Sequence, residues 1–285
     1  MTLETLSEHA GFGGSIGFYC HDSSETQCSM KLSVFVPPQA KSRRVPVLTY
    51  LAGLTCNEET FMTKAGAQRI AAELGLILVA PDTSPRGDDV PGDPDGEWDF
   101  GHGAGFYLDA EAEPYATNYR MYSYITKELQ SLILNTFPAD PNHQGIFGHS
   151  MGGHGALTIG LKNLNVYRSI SAFAPICSST RCSWGKKALT RYLGPQEEKW
   201  KAYDASELVR SVIKDDAFRG MHLLVDQGKD DPFLESQLHP HLLDRACTEA
   251  GFPLTLRSHT GYDHGYYFVS TFMEDHLRHH AMALQ

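Results

Sequence analysis

The sequence predicts an α/β fold: a mostly parallel central sheet with helices on both faces. Short apolar runs bounded by glycine or proline read as buried strands: VPVLTYLAG at 45–53, LGLILVAPD at 74–82, ISAFAPIC at 170–177 and MHLLVDQG at 221–228. Stretches with helical spacing alternate with them. The 285 residues are 41% hydrophobic and 20% charged, with no repeat, linker or low-complexity tract. Such a chain can bury a core without disulfide or metal staples, and one domain spanning 1–285 is expected.

Taken in order, SIGFYCHD and CSMKLSVFVPP form a predicted β-hairpin that stops at Pro37–Pro38. The strand at 45–53 is followed by an alanine-rich helix over 60–74 and the strand ending at Asp82. The next segment, 82–110, is rich in Gly, Pro and Asp; a loop this long inside a compact domain is usually functional, and its aromatic residues favour order. A helix over 118–137 ends before Pro138. Strand QGIFG (144–148), Ser150 and a helix over 151–163 follow. After the strand at 170–177 come a lid-like segment (178–200), a helical region and the strand at 221–228. A helix near 235–250, strand PLTLRSH (253–259) and a terminal helix over 265–280 complete the chain.

The formal charge of −10 and a pI of about 5.7 argue against a nucleic-acid partner, which needs a concentrated basic patch. Lys186–Lys187 and Arg43–Arg44 are only pairs. No apolar run is long enough to span a membrane, and the first residues lack the pattern of a signal peptide. The six cysteines (Cys20, Cys28, Cys56, Cys177, Cys182, Cys247) show no disulfide framework, so a cytoplasmic protein with reduced thiols is expected. The 14 histidines assemble no coherent ligand group, and Asp93–Gly96 lacks calcium-loop spacing; no metal or cofactor is expected.

Gly148-His149-Ser150-Met151-Gly152 matches G-x-S-x-G. A glycine-rich chain can hold this pattern by chance, as an ordinary turn opening a helix. Here an apolar strand ends at Gly148 and a helix of small residues follows, which is the setting of an α/β-hydrolase nucleophile elbow. Ser150 as nucleophile needs a general base, usually a histidine held by a carboxylate, in the chain order Ser, acid, His. His239, His241, His276, His279 and His280 read as solvated helix residues, and His149 and His154 belong to the serine's own turn and helix. His264, in the turn Gly261–Gly265 after the last strand, is the better base; His259 lies on the strand end. For the acid, Asp226 is fixed by the strand's pleat, whereas Asp230 and Asp231 lie on the loop beyond it. Asp231 is favoured, with Asp230 as the alternative. Each aspartate taken alone reads as a solvated carboxylate; the ordered set, each member after its own strand, is the stronger signal. Backbone N–H groups of Met151 and of Leu54, after the strand at 45–53, are the expected oxyanion donors. Cys56 lies at the rim of such a site, or is simply a small buried hydrophobe.

Several longer segments are more specific than the serine motif. LAGLTC (51–56), APDTSPRG (80–87), WDFGHGAGFYLDA (98–110), IFGHSMGGHGAL (146–157), DQGKDDPFL (226–234) and GYDHGYYF (261–268) together resemble the S-formylglutathione hydrolase, or esterase D, family. The resemblance runs from about residue 10 to 280. It implies hydrolysis of S-formylglutathione to formate and glutathione, some activity on short acyl esters, a homodimer, and the triad Ser150, Asp231 and His264. Ala52 and Gly265 depart from the serines frequent in the family at those places. Trp98, Trp184, Lys186 and Lys187 are conceivable substrate contacts, with a structural or solvated role as the plainer reading for each. The competing expectations are a general carboxylesterase, a carbohydrate-ester deacetylase, and a binding protein on a catalytically dead hydrolase fold.

Overall fold

The computed structural model describes residues 2–212 and 220–284. Its strands are β1 (Glu4–Gly11), β2 (Gly14–Asp22), β3 (Ser29–Val36), β4 (Val45–Leu51), β5 (Ile77–Pro81), β6 (Ala139–His149), β7 (Tyr167–Phe173), β8 (Leu223–Gly228) and β9 (Leu254–His259). They form one sheet in the order β1-β2-β3-β5-β4-β6-β7-β8-β9. The first three strands and the β3–β5 pair are antiparallel; every pair from β5 onward to β9 is parallel.

The helices are α1 (Glu58–Lys64), α2 (Gln68–Leu74), α3 (Met121–Ser123), α4 (Gln130–Thr136), α5 (Met151–Lys162), α6 (Ser183–Leu193), α7 (Glu197–Trp200), α8 (Ala205–Val212), α9 (Pro240–Ala250) and α10 (Tyr266–Ala283). A wider π-type turn over Tyr124–Leu129 joins α3 to α4. α5 packs on β4, β6 and β7, whereas α10 packs on β7, β8 and α2. The helix expected over 60–74 is broken in two, because Gly66 takes a left-handed φ of +66° just past the end of α1. β1 has no counterpart in the sequence expectations. It is largely exposed and turns into β2 through Phe12 and Gly13, both at positive φ, the requirement of a tight two-residue hairpin.

Chain direction across the sheet fixes where a ligand can enter. From β4 the chain steps to β5 on one side, and then to β6 on the other. Loops leaving the carboxyl ends of β4 and β6 therefore diverge, and such a switch point leaves a crevice at the sheet's edge.

The expectation that His276 and His280 are solvated is overturned: both are fully buried beneath the sheet. Alternate residues of β7 point the same way, and Ser169 and Ser171 meet α10 there. The Ser171 hydroxyl lies 2.8 Å from His276 Nδ1 and 2.8 Å from His280 Nε2, and Ser169 lies 2.6 Å from His280 Nδ1. His276 Nε2 is 3.3 Å from the Asp226 carboxylate, which Arg257 grips with two hydrogen bonds of 2.6 Å. Burial alone would raise the Asp226 carboxyl, but His276 and Arg257 outweigh it and hold it well below the usual carboxylate range.

Burial also disfavours the charged form of the interior histidines. It pushes His154 and His279 down to about 4, and His280 well below its ordinary value. A folded-state pKa below the unfolded one contributes stability that is complete above about pH 6.5 and lost as the pH falls toward the folded value. Unfolding free energy is expected to drop between pH 6.5 and 4, with up to about 1.4 kcal/mol per pH unit from each such histidine. Urea midpoints at pH 7, 6 and 5 check this, and a flat profile contradicts it.

Candidate active site

β6 runs straight into Ser150, which opens α5 with φ 58° and ψ −121°. That conformation is uncommon for a residue with a side chain and persists only where neighbours over-determine it. The Ser150 N–H donates to Phe173 O at 3.0 Å, and Ser150 O accepts from the N–H of His154 at 3.0 Å and of Ile176 at 3.3 Å. The flanking glycines are required sterically. A Cβ on Gly148 would stand 2.2 Å from Gly152 O, and one on Gly152 would stand 1.9 Å from Leu51 O. The G-x-S-x-G spacing is thus the spacing at which the turn can press against the end of β4.

Asp231 sits on the loop after β8, buried at 5% exposure. Its Oδ1 accepts the Phe233 N–H at 2.8 Å; its Oδ2 accepts from Gln227 Nε2 at 3.1 Å and lies 2.6 Å from His264 Nδ1. The two loops are zipped together by backbone bonds, Lys229 N–H to His259 O and Asp230 N–H to Tyr262 O. Asp230 is exposed, and it is Asp231 whose carboxylate meets His264. His259 and Asp226 belong elsewhere: they lie 3.3 Å from each other, within the network under the sheet.

Ser150 and His264 line one cavity of about 180 Å³ at the switch point, together with Leu54, Cys56, Trp98 and Trp184. Sequence reasoning left His149 to the serine's turn and did not single out Phe233. The structure packs both rings on His264, with centroids 4.6 Å and 5.1 Å away. Burial pushes His149 well below its ordinary pKa, and the neighbouring His264 pushes the same way, so His149 is a neutral wall. The one signal for Phe233 is its place two residues after Asp231, where its N–H can close a turn on that carboxylate.

Leu54, half-buried on the cavity wall, lies in the turn after β4, and a Cβ on the adjoining Gly53 would come within 3.1 Å of Ser150 Cβ. Met151 is the buried first residue of α5, where a backbone N–H has no partner within its own helix. The 82–110 segment is ordered and braces the turn. Tyr107 Oη donates to Ala52 O at 2.9 Å, Thr55 N–H to Gly103 O at 3.0 Å, and Thr83 Oγ1 to Cys56 O at 2.6 Å. Arg86 adds a 3.1 Å bond to Cys56 O while paired with Asp82.

Trp98 and Trp184 meet edge to face over the cavity, 5.6 Å between centroids. The two lysines named with them from the sequence are not there. Lys187 is bound by Asp93 and Asp99, and Lys186 lines a separate cavity beside Glu197 and Glu198. The Cys56 thiol is pushed up by burial. All six cysteines are free thiols. Among the described residues, no group of three or more His, Cys, Asp or Glu could hold a metal ion, and no helix is long and apolar enough to cross a membrane.

Sheet order and cavity together are those of an α/β-hydrolase esterase, and the Esterase family model matches the chain over residues 23–279. The S-formylglutathione hydrolase of Mus musculus is 53% identical over 287 residues, covering all of this chain and 99% of its own. The solved S-formylglutathione hydrolase of Agrobacterium tumefaciens is 49% identical with a TM-score of 0.95, covering 99% of this chain and all of that one. A ferulic acid esterase at 19% identity and TM-score 0.75, over 96% of this chain and all of its own, shares the fold. The chain belongs to the S-formylglutathione hydrolase family of esterases.

The bracing of the turn can be tested apart from catalysis. Tyr107→Phe leaves the buried Ala52 carbonyl without that hydroxyl donor and is expected to cost about 1–3 kcal/mol of stability. Chemical denaturation of the two proteins measures it.

Proposed function

We propose that this chain hydrolyses S-formylglutathione to formate and glutathione in formaldehyde removal, using Ser150 as nucleophile, His264 as general base and Asp231 as its orienting acid. The observation that carries the reading is the 2.6 Å Asp231–His264 contact at a cavity that His264 shares with Ser150. With Nδ1 held by Asp231, the other ring nitrogen is the one that serves the serine.

Ser150 Oγ attacks the formyl carbon and His264 takes its proton. The oxyanion formed is held by the N–H groups of Leu54 and Met151, each such donor contributing about 3 kcal/mol to transition-state stabilisation. The carbon–sulfur bond breaks, glutathione leaves with the proton from His264, and the formyl group stays on Ser150. Water, deprotonated by His264, then attacks the formyl-enzyme; the bond from the formyl carbon to Ser150 Oγ breaks, His264 returns the proton to Oγ, and formate leaves. A thiol, of pKa about 8.5, needs less help to leave than an amine. The closeness of the walls favours a small acyl group: 180 Å³ shared among two tryptophans and Phe233 suits formyl better than a bulky acid. A single domain, a cytoplasmic setting and a homodimer belong to the same proposal; the exposed β1 edge, with Leu6 and Phe12 uncovered, is where a second copy could pair.

Ser150→Ala is expected to abolish burst acylation and fluorophosphonate labelling, and Asp231→Asn to lower kcat by about 10⁴. An undiminished burst in Ser150→Ala defeats the assignment of the nucleophile. For the substrate, kcat/KM is expected to be highest for S-formylglutathione among it, acetyl esters and longer acyl esters. Equal turnover of the longer esters favours a general carboxylesterase instead.

A further inference from the structure

A second cavity, of about 600 Å³, adjoins the catalytic one and plays no part in the steps above. It lies between the last turn of α1 and the first turn of α10, lined by Lys64, Asp263, Gly265, Tyr266, Tyr267 and Ser270. The two cavities share a wall. Asp263 and Gly265 are the chain neighbours of His264, and the Tyr266 ring meets edge to face the ring of His149, which lines the catalytic side, with centroids 5.6 Å apart. Lys64 Nζ stands 6.0 Å over the Tyr266 ring.

The charges in this cavity are unspent. Among the described residues Lys64 has no ion-pair partner, in a chain of formal charge −10 where Lys187 and Arg86 are tied to carboxylates. Asp263 uses Oδ1 to accept the Gly265 N–H at 2.8 Å, leaving Oδ2 for a ligand. Tyr267, among the most exposed aromatics of the chain, adds a flat apolar surface at 89% exposure.

Taking S-formylglutathione as substrate, we propose that this cavity is the subsite for the γ-glutamyl end of its glutathione, with Lys64 binding the α-carboxylate and Asp263 the α-ammonium. The pairing of charges selects that end. The glycyl end of glutathione carries a carboxylate alone, which has no use for an aspartate, whereas the γ-glutamyl end carries both signs on one carbon. With the thioester sulfur at Ser150, one arm of the tripeptide crosses the His149–Tyr266 wall and reaches the pair. Lys64 and Asp263 are thus specificity-determining residues, which a small neutral ester does not engage.

The test compares S-formylglutathione with p-nitrophenyl acetate in wild type, Lys64→Gln, Lys64→Arg and Asp263→Asn, with melting temperatures to establish that each variant folds. Lys64→Gln is expected to lower the ratio of kcat/KM for S-formylglutathione over p-nitrophenyl acetate about fivefold, through KM; an exposed ion pair is worth no more. Lys64→Arg restores the ratio, and raised salt narrows the gap between wild type and Lys64→Gln. N-acetylation of the substrate's amine removes its sensitivity to Asp263→Asn. A ratio unmoved by Lys64→Gln overturns the subsite, and an N-acetylated substrate hydrolysed as well as its parent overturns the choice of the γ-glutamyl end. Failure of wild type to hydrolyse S-formylglutathione at all is a different result, which defeats the underlying function.

Discussion

The close approach of the Ser150 turn to the end of β4 is the constraint on which the rest of the site depends. At Gly152 there is no room for a methyl group: the Leu51 carbonyl already occupies its place. That contact brings the first turn of α5 against the loop carrying Gly53 and Leu54, so that the serine and the expected oxyanion donors come from strands adjacent in the sheet but far apart in sequence. The positive φ of Ser150 follows from the same crowding. It is maintained because Phe173, His154 and Ile176 all bond to its backbone.

Everything else at the site works to keep that junction from relaxing. The 82–110 segment is long because it must travel from the end of β5 over the β4 turn and back toward α3. On the way it ties the carbonyls of Ala52 and Cys56 and the N–H of Thr55. Opposite it, the loops after β8 and β9 fix Asp231 and His264 to each other through backbone bonds as well as through the 2.6 Å side-chain contact. Each loop is anchored to another loop rather than only to its own strand ends. Positional accuracy of this kind is what makes a reacting group effective.

The parts legible in the sequence were those whose signal is local. Buried parallel strands are continuous apolar runs, and the serine turn is a five-residue pattern. Asp231 and His264 were legible as candidates because each lies just past a strand, and the Gly-x-x-Asp spacing after β8 already favoured Asp231 over Asp230; the direction of its carboxylate toward His264 is what the structure adds. β1 was illegible for the opposite reason: ETLSEHAG is polar on both faces, and its pairing with β2 comes from backbone bonds that any sequence can make. His276 and His280 read as solvated because their partners, Ser169 and Ser171, are more than 100 residues away. Lys64 drew no attention because a lone lysine in the last turn of a helix is ordinary; only the fold of α10 onto that corner brings it over the Tyr266 ring.

His149 shows how charge is distributed across these levels. It packs at a tilt against His264, the residue proposed to become cationic during turnover, and a second positive ring at 4.6 Å would oppose that step. Full burial keeps His149 neutral, so it supplies contact area without charge. Phe233 does the same from another side. The imidazole is therefore flanked by two uncharged rings and meets the Asp231 carboxylate at 2.6 Å. The separate Asp226–Arg257–His276 network satisfies the buried carboxylate of β8 away from the cavity. Two aspartates five residues apart thus serve different ends, because the pleat turns Asp226 under the sheet while the loop carries Asp231 out to the imidazole.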